Sequence, residues 1–131
     1  LLVAGREAVK RQLEIFRGRE VSYDRNGILA TFDGPARAIR CTASIVEAAE
    51  KMGVRVKAGL NTGECDVVDG NYSGIAVDLA LHIANESNGD RILVSRTVKD
   101  LVAGSGLQFA DAGVHAFESI EGEWRLFTVL K

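Results

Sequence analysis

The chain lacks the features that would place it in a membrane, outside the cell or on a nucleic acid. No apolar run approaches the ~20 residues that a bilayer-spanning helix needs, and no secretory signal peptide is visible. A formal net charge of −2 excludes the strongly basic character typical of nucleic-acid-binding proteins. We therefore expect a cytoplasmic protein that has neither a membrane nor a nucleic-acid partner.

Cysteine and proline are also scarce. The two cysteines, Cys41 and Cys65, stand far apart and lack the spacing of metal ligands. Such thiols indicate a reducing compartment, and each is predicted to be a small buried apolar residue. Because there is one proline, no repeat and no low-complexity tract, no linker is evident, and residues 1–131 are predicted to form one domain.

What the chain does contain is an alternation of helix and strand patterns. The predicted helices cover residues 2–17, about 35–52, 75–86 and 96–102. The predicted strands cover residues 20–23, 28–32, 54–60, 64–68, 92–94, 108–110 and 124–130. Gly18 and Gly53 are expected to end the first two helices, Asn26-Gly27 to form a type I′ turn, and Ser95 to cap the last helix. This order predicts an α+β domain with helices gathered on one face of a mostly antiparallel sheet.

Three segments carry a resemblance to a known family. The segments ATFDGPARAI (30–39), AGLNTGE (58–64) and LVSRTVKDLVAGSGLQFADAG (93–113) resemble class III adenylate/guanylate cyclase catalytic domains, especially those of actinobacteria. The resemblance extends from the first helix to residues 123–127 and implies a ferredoxin-like core. It also implies that the family's first strand would precede residue 1, so that this chain lacks it and keeps an unpaired sheet edge.

The resemblance further implies a chemistry whose metal ligands are missing here. Class III cyclases join the ribose 3′-hydroxyl of a nucleoside triphosphate to its α-phosphate, using two Mg²⁺ or Mn²⁺ ions held by two aspartates. One aspartate belongs to the absent first strand, and the other falls on Asn26, whose amide carries no charge to balance a divalent ion. We therefore expect no metal cofactor.

The groups that read the base and the phosphates are exchanged as well. The base-reading lysine falls on Ser22, which is too short to reach a purine edge, and its partner falls on Asn71. The asparagine and arginine that stabilise the transition state fall on Asp78 and His82. An aspartate repels phosphate, and a histidine lacks the permanent charge and forked donors of arginine. The degenerate site positions are Ser22, Asn26, Asn71, Asp78, His82 and Glu118, the last of which replaces a phosphate-binding lysine.

Each exchanged residue also has a simpler interpretation as a solvated surface group. Asp78 and His82, at i and i+4 on a helix, are the most suggestive pair, because they can form a charge-assisted contact. His115 has no evident partner, and Trp124 is expected in the core with its indole N–H bonded at the rim.

The resulting hypothesis is a catalytically inactive cyclase-homology domain with a regulatory or dimerisation role in intracellular signalling. It is expected to bind nucleotide weakly or not at all and to form a homodimer or pair with a partner domain. Two alternatives remain open. One is an active cyclase, producing cyclic AMP or cyclic GMP, whose site is completed by a partner chain. The other is a sensor that holds a small ligand in the old cleft.

Overall fold

A computed structural model of the chain describes residues 2–24, 27–87 and 91–130. In these ranges the four helices are α1 (Leu2–Ile15), α2 (Pro35–Lys51), α3 (Ile75–Glu86) and α4 (Arg96–Leu101). The eight strands are β1 (Arg19–Asp24), β2 (Gly27–Thr31), β3 (Ala58–Leu60), β4 (Asp66–Val68), β5 (Asn71–Ser73), β6 (Ile92–Ser95), β7 (Phe109–Phe117) and β8 (Ile120–Val129). No described helix is long and apolar enough to cross a membrane.

The main sheet has four strands in the order β3-β6-β8-β7. The pair β3–β6 is parallel, and β6–β8 and β7–β8 are antiparallel. The hairpins β1–β2 and β4–β5 each form a separate two-stranded sheet. The structure therefore confirms the predicted α+β class with a mostly antiparallel sheet.

The core is built on both faces of strand β6, whose four residues are all buried. Successive side chains of a strand point to opposite faces. Ile92 and Val94 accordingly join one hydrophobic cluster, and Leu93 joins another. The first cluster contains Ile39 and Val46 of α2 together with Val98 and Val102 of the α4 region, and the second contains Leu79 and Ile83 of α3.

The helices therefore lie on both faces of the main sheet, with α2 and α4 on one side and α3 on the other. The prediction that all helices gather on one face is wrong. An amphipathic pattern shows that a helix has one buried side, but it does not show which face of the sheet that side covers.

Helix α1 ends in a motif that differs from the prediction. The left-handed conformation is adopted by Arg17, with φ of 59°, and not by Gly18. The amides of Arg17 and Gly18 donate to the carbonyls of Glu14 and Leu13, which is the pattern of a Schellman cap. Gly18 is needed for space, since a Cβ there would lie 2.5 Å from the Phe32 ring.

Two other predicted caps are confirmed. Gly53 follows α2 with φ of 74°, and its amide donates to the carbonyl of Glu50. Ser95 precedes α4, and its Oγ accepts a hydrogen bond from the amide of Val98 at 3.3 Å.

The strand boundaries were predicted less well. Strand β3 covers 58–60 instead of 54–60, and β4 covers 66–68 instead of 64–68. Strands β7 and β8 are much longer than predicted, because they pair as one hairpin from Phe109–Val129 to Phe117–Ile120. Gly27 pairs with Asp24 at the start of β2, so the predicted placement of Gly27 in the turn is wrong. Asn26, the other residue of the predicted turn, lies outside the described residues.

The two cysteines differ in environment. Cys41 is fully buried in α2, as predicted, whereas Cys65 is exposed, so its predicted burial is wrong. Burial raises the pKa of the Cys41 thiol to about 11.

Thiol alkylation should distinguish these two sites. Iodoacetamide at pH 8 is expected to label Cys65 readily and to leave Cys41 unmodified, because Cys41 is inaccessible and its raised pKa removes most of the reactive thiolate. Peptide mass spectrometry measures the two rates, and both sites should react in guanidinium chloride. Similar native rates at the two positions would contradict the buried placement of Cys41.

A glycine substitution tests the packing of α3 on the sheet. A Cβ on Gly59 would lie 2.3 Å from the backbone nitrogen of Ala84, so α3 has to move if Gly59 is replaced. We expect Gly59→Ala to lower the free energy of unfolding by about 3 kcal/mol. Gly34→Ala is the control, because a Cβ added at Gly34 would meet no atom within 4 Å, and it should change stability by less than about 1 kcal/mol. Equal urea midpoints for the two variants would argue against this close approach.

Candidate functional site

Helix α3 is fixed in place by the segment that follows β3. Asn61 Nδ2 donates to the backbone oxygen of Ala76 at 3.1 Å, in the first turn of the helix. A Cβ on Gly63 would lie 2.9 Å from the Cβ of Ala76, so the segment passes close to the same turn. Together with the Gly59 approach, these contacts fix both ends of α3 relative to β3.

The β4–β5 hairpin leads directly into α3. Asp69 and Gly70 both have positive φ, of 52° and 79°, as a two-residue type I′ turn requires. Asn71 is paired with Val68 at the start of β5 and is exposed. Strand β5 is absent from the predicted strands, and the Asp69-Gly70 dipeptide is the signal that would have identified the hairpin.

His82 connects α3 to the turn between β7 and β8. Its ring stacks on the Phe117 ring, with centroids 5.0 Å apart and an interplanar angle of 19°. Its Nε2 lies 3.2 Å from Ser119 Oγ. The structure thus brings the His82 position beside residue 118, which precedes Ser119 in that turn.

The second histidine lies on the same aromatic ring. His115 and Phe117 have centroids 6.3 Å apart, and their rings are nearly parallel. His115 Nε2 lies 2.9 Å from the carbonyl oxygen of Ala112, and its Nδ1 lies 3.6 Å from a carboxylate oxygen of Glu86. His115 therefore has partners, contrary to prediction. His115 and Phe117 are two residues apart on a strand, and this spacing is the pattern that indicates their shared face.

Trp124 also differs from its prediction. It packs on the cluster beneath α3, but its Nε1 is buried and has no hydrogen-bond partner among the described residues. The expected bond at the rim is therefore not formed there.

Asp78 does not form the predicted contact with His82. No ion pair or hydrogen bond joins these two described side chains, since the His82 ring nitrogen is directed to Ser119. Asp78 is exposed in the first turn of α3, where a carboxylate is stabilised by the helix dipole. Its position is thus explained by helix stability alone.

The other predicted site residues lie on neighbouring elements. Ser22 is exposed on β1 and Glu118 is exposed in the β7–β8 turn. Strand β1 contacts β5, and β5 contacts α3, so these elements surround one region of the surface. Asn26 lies outside the described residues. No two of the described site residues bond directly to each other.

Two of the segments that border this region contain no lysine or arginine, although strand β1 carries Arg19. Between Lys57 and Arg91 the sequence contains neither lysine nor arginine, and the same holds from residue 112 to residue 124. The carboxylates in these segments are Glu64, Asp66, Asp69, Asp78, Glu86, Asp90, Glu118, Glu121 and Glu123. The elements β3 to α3 and the β7–β8 turn therefore offer a polyanion no lysine or arginine side chain.

The described residues do not fit a magnesium or manganese centre. Such ions take several oxygen ligands, with carboxylates foremost. Within the described ranges, no three His, Cys, Asp or Glu side chains are grouped as a metal site would need. No reaction step through a metal is therefore assigned to them.

Comparison with known proteins gives structural matches only. No protein-family model and no curated protein sequence matches the chain. An adenylate/guanylate cyclase/hydrolase from Silicibacter pomeroyi superimposes with a TM-score of 0.90 at 24% identity, covering 98% of this chain and 80% of that one.

Two further structures agree. The adenylyl cyclase CyaB from P. aeruginosa gives a TM-score of 0.81 at 15% identity, covering 99% of this chain and 80% of that chain. A non-canonical dimeric guanylyl cyclase domain of the RhoGC fusion protein from Blastocladiella emersonii gives a TM-score of 0.74 at 16% identity, covering 98% of this chain and 80% of that chain. The chain therefore has the fold of class III adenylate/guanylate cyclase catalytic domains.

Proposed function

We propose that this chain is a cyclase-homology domain that does not turn over nucleotide and that acts through association with a second copy. The observation that carries the proposal is the absence of any lysine or arginine from residues 58–90, the segment that contains β3, the β4–β5 hairpin and α3. In the resembling family this segment contacts the triphosphate.

Electrostatics supports the absence of triphosphate binding. Asp78 and Glu118 place negative charge where the resemblance puts an amide and a lysine. Like charges near a protein surface repel each other by about 1 kcal/mol or more per pair at contact distance. With no lysine or arginine in these segments to offset them, the two carboxylates oppose the approach of a polyanion.

The contacts of His82 support the same proposal. Its ring is stacked on Phe117 and its Nε2 lies within hydrogen-bond distance of Ser119. A ring held in this way fills space between α3 and the β7–β8 turn, where the family needs an arginine that reaches the phosphates. The residue stabilises the packing of the domain and does not extend towards a ligand.

A partner chain would find neither half of a shared class III site here. Such a site draws its metal ligands from one subunit and its transition-state residues from the other. Asn26 replaces a ligand of the first kind, and Asp78 and His82 replace residues of the second kind. These exchanges therefore favour the inactive domain over the partner-completed cyclase.

The β4–β5 hairpin supports the proposed association. Val67 and Val68 are 57% and 66% exposed, and Ile75 just beyond the hairpin is 66% exposed. Because adjacent strand residues point to opposite sides, both faces of β4 present an apolar side chain to solvent. A second copy that covers these valines would remove their apolar side chains from water and so stabilise the pair.

The first prediction from this proposed function concerns catalytic activity. The purified chain should form no cyclic AMP from ATP and no cyclic GMP from GTP, with Mg²⁺ or with Mn²⁺. Asn26→Asp should not restore activity, since Asp78, His82 and Glu118 would still stand where the family places its transition-state and phosphate-binding groups. Product analysis by mass spectrometry, with an active cyclase as positive control, checks this. Cyclic nucleotide that increases with the concentration of the chain would refute the proposed inactivity.

The second prediction concerns nucleotide binding. The triple variant Asp78→Asn, His82→Arg, Glu118→Lys should bind ATP roughly a hundredfold more tightly than the unaltered chain, from two or three contacts of about 1 kcal/mol each. The control variant Glu7→Lys, Glu14→Lys makes a similar change of charge on exposed positions of α1. Calorimetry should detect the gain only in the triple variant. Micromolar ATP binding by the unaltered chain would instead favour the sensor alternative.

The third prediction concerns assembly. The chain of 14.1 kDa should sediment at about twice that mass, and Val67→Lys, Val68→Lys should return it to the monomer. The control is Ile15→Lys, Met52→Lys, which alters two exposed apolar residues at the ends of α1 and α2. A constant monomer mass up to high micromolar protein, or equal dissociation of both variants, would rule out this dimer surface.

A further inference from the structure

A second surface lies on the opposite face of the main sheet from α3. Two adjoining open grooves, of about 510 and 480 Å³, meet at Val102 and Ala103 just after α4. The first reaches the start of α2, and the second reaches the end of β8. We refer to the two together as the α4 groove.

The apolar part of the α4 groove is exposed to solvent. Leu101 is 60% exposed and Leu130 is 45% exposed, and both line the groove. Leu107 and Phe109 also line it, and both pack against the edge of the core cluster beneath α4. The floor of the groove is therefore continuous with the hydrophobic core, and its rim presents two leucines to solvent.

The charged part of the α4 groove is mainly positive, although the chain as a whole is acidic. Its lining contains three cations, Arg37, Arg40 and Lys99, and one carboxylate, Asp100. Asp100 already forms an ion pair of 3.9 Å with Arg96, which is exposed and does not line the groove. The groove thus concentrates positive charge beside apolar surface.

The three cations differ in the contacts that they already make within the domain. Arg40 Nη2 donates to the backbone oxygen of Ser105 at 3.0 Å, and Lys99 Nζ lies 5.0 Å from the centroid of the Phe127 ring. Arg37 is half-buried and makes no hydrogen bond or ion pair with any described residue. Its guanidinium, with five donors in a fork, is therefore available to a carboxylate on a partner.

The geometry points to the α4 groove as a docking site for an acidic amphipathic segment of a partner protein. Apolar side chains of that segment would cover Leu101 and Leu130, and its carboxylates would pair with Arg37 and Lys99. The charge of the groove selects an acidic occupant, and its apolar floor selects an amphipathic one. This interface lies on the other side of the main sheet from α3. It does not depend on whether the domain turns over nucleotide.

A displayed library of short random peptides tests the docking site and does not require the partner to be identified first. The library is selected on the immobilised chain and counter-selected on the variant Arg37→Glu, Leu101→Asp, which reverses one groove charge and removes one rim leucine. The control variant Arg11→Glu, Ile15→Asp makes comparable exchanges on α1, where Ile15 is 63% exposed at the end of the helix. Thermal unfolding of both variants verifies that they remain folded.

The enriched peptides are expected to carry net negative charge and apolar residues at helical spacing. They should bind the unaltered chain and the α1 control equally, and the groove variant at least about tenfold more weakly. High salt should weaken their binding. In NMR spectra of the unaltered chain, which need no folded variant, they should shift the backbone amides of Gly34 and of residues 36–40 and 99–108.

Three outcomes of the peptide experiments would overturn the docking site. These are enrichment of neutral or basic peptides, amide shifts confined to other regions, and equal binding to the two variants. If the unaltered chain self-associates and the groove variant does not, the occupant of the groove is a second copy of the chain and not a partner protein. That result would also overturn the inference. The three peptide outcomes do not bear on the β4–β5 hairpin, whose test is the mass of the Val67→Lys, Val68→Lys variant, so a failed groove and a failed proposed function are distinguishable. Loss of self-association in the groove variant would overturn both the docking site and the hairpin as the dimer surface.

Discussion

The burial of strand β6 on both faces is the constraint on which the rest of the structure depends. Its four residues are covered by α2 and α4 on one side and by α3 on the other. Replacing Gly59 on the neighbouring strand β3 would push α3 away, because the backbone of α3 touches that position. The Ser95 cap and the Asn61 bond to Ala76 fix where α4 and α3 begin relative to this strand. The position of every candidate surface follows from this arrangement.

Two surfaces of the domain differ in charge. Residues 58–90, which include α3, contain no lysine or arginine, whereas the α4 groove is lined by Arg37, Arg40 and Lys99. The small net charge of the chain therefore describes neither surface. Surfaces that differ in charge are suited to contacts with different partners.

Much of the fold could be predicted from local pattern, and the site less so. The extents of α3 and β6, the Gly53 end and the Ser95 cap were predicted correctly or within a residue, because each depends on residues close in sequence. The pairing of β7 with β8 along most of their length was missed, since its middle contains Gly113 and two irregularities that break the alternation. The expected bond between Asp78 and His82 was wrong, because a competing partner, Ser119, comes from a distant part of the chain.

By itself the sequence determined which residues stand at each position of the cyclase-like scaffold, including the loss of positive charge between Lys57 and Arg91. Charge and residue type are properties of the chain that folding does not alter. Only the tertiary structure decided which face of the sheet each helix covers, which ring His82 stacks on, and that α2, α4 and β8 enclose a basic groove. These features depend on contacts between residues far apart in sequence, and helical or strand periodicity describes only one segment at a time.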